Sequence, residues 1–149
     1  MYQCILIATD GSDLSRKAVI SGIQLAELTG AQLVALKVVP RYPVSYFEGG
    51  ISAETAMKDV AHIEKQWADD AQAVVEAIKT SAEAAGVKAK AVTTTSDLIA
   101  ETIIATAKKH NCDLIVMASH GRRGLKRLLL GSETTHVLTH SHIPVLVLR

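Results

Sequence analysis

The chain has 149 residues, 48% of them apolar but only 3% aromatic, which fits one ordinary domain, residues 1–149, filled by Ala, Val, Ile and Leu as helices on a parallel sheet require. With 16 basic against 15 acidic residues the net charge is +1, which excludes a global field drawing the chain to nucleic acid or an anionic membrane and makes any anion site local. The opening "MYQCILIATDG" has no basic lead-in and its apolar run stops at Asp10, so it reads as neither a signal peptide nor a spanning helix, and the cytosol is the expected location.

The short, β-branched run "CILIAT" leads into the turn and cap cluster "DGSD", which predicts a strand followed by a helix start. From Leu14 to Leu28 the positions Ala18, Val19, Gly22, Leu25, Ala26 and Thr29 recur at helical spacing, and Gly30 stands where a C-terminal cap belongs. "QLVALKVV" is the second strand and ends at Pro40. Residues 40 to 57 hold Pro40, Pro43, Gly49, Gly50, two of the three Tyr and the only Phe, and read as one long loop. Its aromatics suit lining a pocket, packing on the domain or meeting a partner, and spacing does not separate the three.

A long helix follows from about Lys58 to Ala85, with Val60, Ile63, Trp67, Ala71, Val74, Val75 and Ile78 in one stripe and Gly86 at its end. "VKAKAVTTT" alternates apolar and polar residues, as a strand near the sheet edge does. "SDLIAETIIATAKKHN" predicts a helix capped by Ser96, with Glu101 in its body and Lys108, Lys109 and His110 complementing its dipole at the end. The apolar "CDLIVMA" is a central strand buried on both faces. A last helix covers about Ser132 to Thr139, and "IPVLVL" is a fifth strand whose Pro144 places it at an edge or leaves its first residue unpaired. Cys4 and Cys112 lie in apolar, strand-like runs with no CxxC spacing, and read as buried free thiols. Strands and crossovers thus alternate as βαβαβαβαβ, the pattern of an α/β, doubly wound parallel sheet with right-handed connections. No repeat or low-complexity tract interrupts it.

Open parallel sheets bind ligands beyond the carboxyl ends of their strands. The segments there are "ATDGS", "KVVPR" and "ASHGRRG", which converge only if strands one, two and four are neighbours. In "ASHGRRGLKRLLLGS", Gly121 and Gly124 allow backbone amides to point into one concavity, and Gly131 and Ser132 open a helix whose first amides lack internal partners. Ser132 can cap that helix or donate to a phosphate oxygen. Arg122, Arg123, Lys126 and Arg127 add local positive charge. The same stretch also fits a short amphipathic helix with a solvated basic face, because Leu125, Leu128 and Leu129 stand at helical spacing and neither GxxxxGK[ST] nor GxGxxG is present.

Together "ILIATDGSDLSRKAV", "LVALKVV", "DLIVMASHGRRGLKRLLLGS" and "HIPVLVLR" resemble the universal stress protein family over nearly the whole chain. Its ATP-binding members carry G-2x-G-9x-G-[S/T]; Gly121, Gly131 and Ser132 fit the second half, and Ala118 stands at the first glycine. The resemblance implies a five-stranded parallel sheet in the order 3-2-1-4-5 with helices on both faces, the adenine nucleotide α-hydrolase-like arrangement. By the same resemblance Ala8, Thr9 and Asp10 border adenine and ribose, and Val38 contacts adenine through its backbone. Met117, Ala118, Ser119, His120 and Gly121 border ribose and phosphates, with Arg122 and Arg123 adjacent. Gly131, Ser132, Glu133 and Thr134 complete the phosphate site, where an outward Glu133 would complement the helix dipole. The implied ligand is ATP, with AMP or ADP as alternatives and Mg²⁺ as a companion. The implied partner is a second copy, paired through strand five at residues 143–148.

Other readings of single residues compete. His136 and His140 are four apart on the last helix and His142 follows shortly, but no Cys or paired carboxylate accompanies them as a metal site would need. His120 has no visible nucleophile to serve as base, which favours a phosphate or ribose contact or loop packing. Asp10 either meets the nucleotide or only caps the first helix, a task open equally to Ser12 and Asp13. A phospho-accepting receiver domain would want an acidic cluster and a strand-end Lys, and neither is convincing in this sequence. Function then lies between a regulatory ATP-binding protein of the stress response and a slow ATPase or adenylyl-transfer enzyme, with a nucleotide-free interaction module as a third reading. Phosphoryl transfer needs a metal-holding acid and a positioned base; Asp10 is the only acid in the strand-end loops, which favours the regulator.

Overall fold

The computed structural model describes residues 1–43, 52–120 and 129–149. Strand β1 (Cys4–Ala8) runs into helix α1 (Asp13–Thr29), whose N-cap Ser12 accepts from the Ser15 N–H and whose C-cap Gly30 sits at φ 70°. Strand β2 (Gln32–Val39) has the predicted bounds. Helix α2 (Ala53–Ala84) starts five residues before the expected Lys58. Ser52 caps it by accepting from Thr55 N–H at 3.3 Å, and the Ala, Glu and Met that follow are good helix formers. The expected loop 40 to 57 is therefore shorter by its last turn and a half, and its residues 44–51, with Tyr46, Phe47 and both glycines, lie outside the described ones.

Strand β3 (Ala89–Thr95) leads to α3 (Ile99–Lys109), whose N-cap is Leu98, without a side-chain cap. Ser96 does not cap it. Its hydroxyl accepts from Leu98 N–H at 3.1 Å, a two-residue turn that spends the oxygen before the helix begins. Strand β4 (Leu114–Ala118) is buried throughout. Helix α4 (Ser132–His140) has Gly131 as N-cap, so Ser132 is its first helical residue and not its cap. Strand β5 (Val145–Leu148) closes the order.

All neighbours pair in parallel in the order β3-β2-β1-β4-β5. This is the doubly wound α/β sheet expected, with β3 and β5 at its edges. Ile5, Ile7, Leu33 and Val116 face α1 and α2 through Ala18, Ala26, Val75 and Ile78. Leu6, Leu36, Ile115 and Met117 face α3 and α4 through Ile103, Ile104 and Val137. α1 approaches closely because Gly22 has no side chain: a Cβ there would stand 2.6 Å from Ile7 Cδ1. No helix among the described residues is long and apolar enough to cross a membrane.

Candidate functional site

The strand order makes β2, β1 and β4 consecutive, so their carboxyl ends meet. Ala8 stands opposite Leu36 on one side and Met117 on the other. Past β1, Thr9 N–H still donates to Leu36 O at 3.0 Å. Its buried hydroxyl lies 2.8 Å from Ser15 Oγ and accepts from Gly11 N–H at 3.1 Å. Asp10 is half-buried, and its Oδ1 accepts from Ser12 N–H at 2.9 Å. Together with Gly11 at φ 79°, these bonds turn the chain sharply away from the strand axis. Capping of α1 falls to Ser12, so Asp10 braces the turn before it. No motif in the sequence marks Ser15, although its place one turn before Ala18 puts it on the buried face of α1.

Past β4 the chain is fixed from two directions. Ser119 is buried; its N–H donates to Leu148 O at 2.7 Å, and its carbonyl accepts from Gly131 N–H at 2.8 Å. Thr134, also buried, donates its hydroxyl to Ala118 O at 2.9 Å. These bonds bring the start of α4 to the end of β4. Thr135 N–H pairs with Gly131 O, while the amides of Ser132, Glu133 and Thr134 have no acceptor within the helix. They and the helix dipole present partial positive charge at the strand ends. Thr134's hydroxyl is committed to Ala118, so this position offers its backbone. Ser132 and Glu133 are exposed, Glu133 in the first turn where a carboxylate complements the dipole. Half-buried His120 has Nδ1 3.0 Å from Ser119 Oγ.

Ala8, Thr9, Asp10, Met117, Ala118, Ser119, His120 and Gly131 through Thr134 are thus gathered around the ends of β1 and β4. Val38 lies two residues beyond Leu36 on β2, opposite Thr94 of β3, and packs toward α3. Gly121, Arg122 and Arg123 lie outside the described residues, as do Gly124, Lys126 and Arg127. His136 stands apart from the site: its Nε2 is 3.1 Å from Glu101 Oε1, bridging α4 to α3, and its ring lies 4.4 Å from that of His140.

The sequence pattern of the universal stress protein family matches residues 1–149. The chain is 34% identical to universal stress protein MJ0531 of Methanocaldococcus jannaschii, over 100% of this chain and 83% of that one. It superposes on the solved structure of the hypothetical protein MJ0577 with a TM-score of 0.82 at 28% identity, covering 99% of this chain and 96% of the other. A universal stress protein solved in complex with cAMP has the same fold, with a TM-score of 0.66 at 23% identity over 99% and 97% of the two chains. This chain belongs to the universal stress protein family.

Proposed function

We propose that residues 1–149 act as one cytosolic, regulatory domain of the stress response that binds ATP at the carboxyl ends of β1 and β4. The observation that carries this reading is the Gly131 to Ser119 hydrogen bond, which sets the open amides of α4 beside the ends of the two central strands. Ala8, Thr9 and Asp10 would border adenine and ribose, and Val38 would meet adenine through its backbone. Met117 to His120 would line ribose and phosphates, with Gly121, Arg122 and Arg123 following. Gly131 to Thr134 would receive the phosphates. The family member in complex with cAMP supports an adenine nucleotide as the ligand class. ATP is preferred over ADP and AMP because the basic run from Arg122 to Arg127 favours the most highly charged anion, and Mg²⁺ would screen its phosphates.

Regulation is favoured over catalysis. Asp10, the acid in the loop after β1, already accepts from Ser12, and phosphoryl transfer needs a metal-holding carboxylate and a base aimed at a nucleophile. Among the described residues β5 pairs with β4 alone, and Leu146 on it is 38% exposed; residues 143–148 would pair with a second copy across that edge.

The test is to extract the purified protein for co-purified nucleotide, then titrate ATP, ADP and AMP calorimetrically with and without Mg²⁺. Saturable ATP binding that Gly121→Val removes without lowering the thermal midpoint supports the site. Absence of binding and of any thermal shift at millimolar ATP overturns it. Multiple-turnover release of phosphate or AMP above background would move the reading to an enzyme, and sedimentation of Leu146→Glu beside the parent tests the dimer.

A further inference from the structure

The amino ends of β1 and β4 hold a pair of groups that the nucleotide site does not use. Cys4 and Cys112 are 108 positions apart in sequence, yet their Sγ atoms are 3.2 Å apart. Neighbouring β1 and β4 bring them together, and the backbone on both sides is pinned. Asp113 N–H donates to Cys4 O at 2.9 Å, and the Asp113 carboxylate accepts from Cys4 N–H at 3.1 Å and from Gln3 N–H at 2.9 Å. Cys112 N–H donates to Ala107 O at 2.8 Å. Cys112 is 6% exposed and Cys4 half-buried, so a solvent-borne reagent reaches the pair from the Cys4 side.

We propose that Cys4 and Cys112 are a modification site, a dithiol that a hydroperoxide oxidises to an intramolecular disulfide. The sulfurs need to approach by roughly 1.2 Å to reach bonding distance. Cys4, the more exposed of the two, is the sulfur that attacks first, while burial, then the contact with Cys4, then the charge of Asp113 push the Cys112 thiol up. Its sulfur bonds to one oxygen of hydrogen peroxide, the O–O bond breaks, and the departing oxygen leaves as water with the thiol proton. The sulfur of Cys112 then attacks the sulfenic sulfur of Cys4. The S–S bond forms, the S–O bond breaks, and the hydroxyl leaves as a second water with the proton of Cys112. Two thiols are oxidised by two electrons and one peroxide is reduced to two waters. In a thiol-reducing compartment such a bond is transient and reports oxidant rather than serving as permanent bracing. While present, it ties the starts of the two central strands and removes freedom from the unfolded chain alone.

The experiment uses the whole reduced protein titrated with hydrogen peroxide, quenched in denaturant with an alkylating reagent, and read by intact mass. The expected product has lost two hydrogen atoms, takes no alkyl group, and unfolds roughly 5–15 °C higher in a midpoint that dithiothreitol restores. Cys112→Ser should instead accumulate a sulfenic acid on Cys4 that dimedone traps, and Cys4→Ser should leave Cys112 unreacted. Two alkylated cysteines after several equivalents of peroxide, a disulfide between chains on a non-reducing gel, or passage of wild-type Cys4 to sulfinic acid with Cys112 still alkylated would each overturn the proposal. The wild-type mass needs no variant to fold, and none of these readouts depends on nucleotide binding.

Discussion

The same two strands, β1 and β4, end in opposite ways. At their amino ends the polar groups answer one another: the Asp113 carboxylate takes the N–H groups of Gln3 and Cys4, and the two thiols face each other. At their carboxyl ends side chains brace the backbone from behind, through Thr9 with Ser15 and Thr134 with Ala118, and the first amides of α4 have no acceptor among the described residues. One end is closed on itself and the other is held ready for something else. A parallel sheet explains the division, since every right-handed crossover returns to the amino end, while past their carboxyl ends β1 leads to α1 on one face and β4 to α4 on the other.

The largest effect should belong to neither end but to the stretch joining them. Ile115→Ala, in fully buried β4, should cost about 2–5 kcal/mol in urea unfolding, and a loss below 1 kcal/mol would mean that the two ends are not supported by a common core. Thr134→Val comes next. It removes the buried donor to Ala118 O, and should cost about 1–3 kcal/mol while weakening ATP binding several-fold by loosening the start of α4. Asp113→Ala at the opposite end should cost about 1 kcal/mol, because the N–H groups it leaves are partly reached by water. Its ATP affinity should equal the parent's; an equal fall in both variants by calorimetry would erase the contrast between the ends.

The smallest effect concerns pH. Burial, with Lys90 and Lys109 nearby, holds His110 below its ordinary 6.5. The unfolded chain therefore binds the proton more readily, so this contribution is whole above 6.5 and is lost as pH falls through the lowered value. His110→Asn should make stability less steep across that interval and leave nucleotide affinity unchanged. An unaltered slope would mean that burial and the two lysines do not hold His110 below its ordinary value.

Much of this architecture is legible in the order of residues, for a local reason. "QLVALKVV" and "CDLIVMA" read as strands because central parallel strands are buried on both faces and need no polar alternation. Gly30 marks the end of α1 because its positive φ suits glycine. The errors fall where one side chain had two possible hydrogen bonds. Ser96 had the composition of a cap but closes a turn to Leu98, and Ser52, set among glycines and prolines, starts a helix that composition concealed. Ser132 was a natural cap candidate, but Gly131 takes the position when its N–H is drawn to Ser119. At the candidate site, the glycine spacing and the family resemblance pointed to the segment, while the bracing by Ser15 and Thr134 needed the fold. The thiol pair was the least visible. No local spacing links Cys4 to Cys112, and only the pairing of Ile5 with Leu114 brings them alongside.

The bond from Gly131 N–H to Ser119 O, 2.8 Å long, has a further consequence for the segment between those residues. Chain that leaves β4 at Ser119 must return to the same point, so the ends of residues 120–130 are joined before any ligand arrives. Bringing together the ends of a segment of this length costs about 2 kcal/mol in chain entropy, and here folding meets that cost, leaving the affinity for a ligand free of it. Length is correspondingly cheap. Doubling the segment would cost only about 0.6 kcal/mol more, so insertions between Ser119 and Gly131 should be tolerated as long as the clasp holds, and a change that breaks it should be felt more than one that lengthens what it encloses.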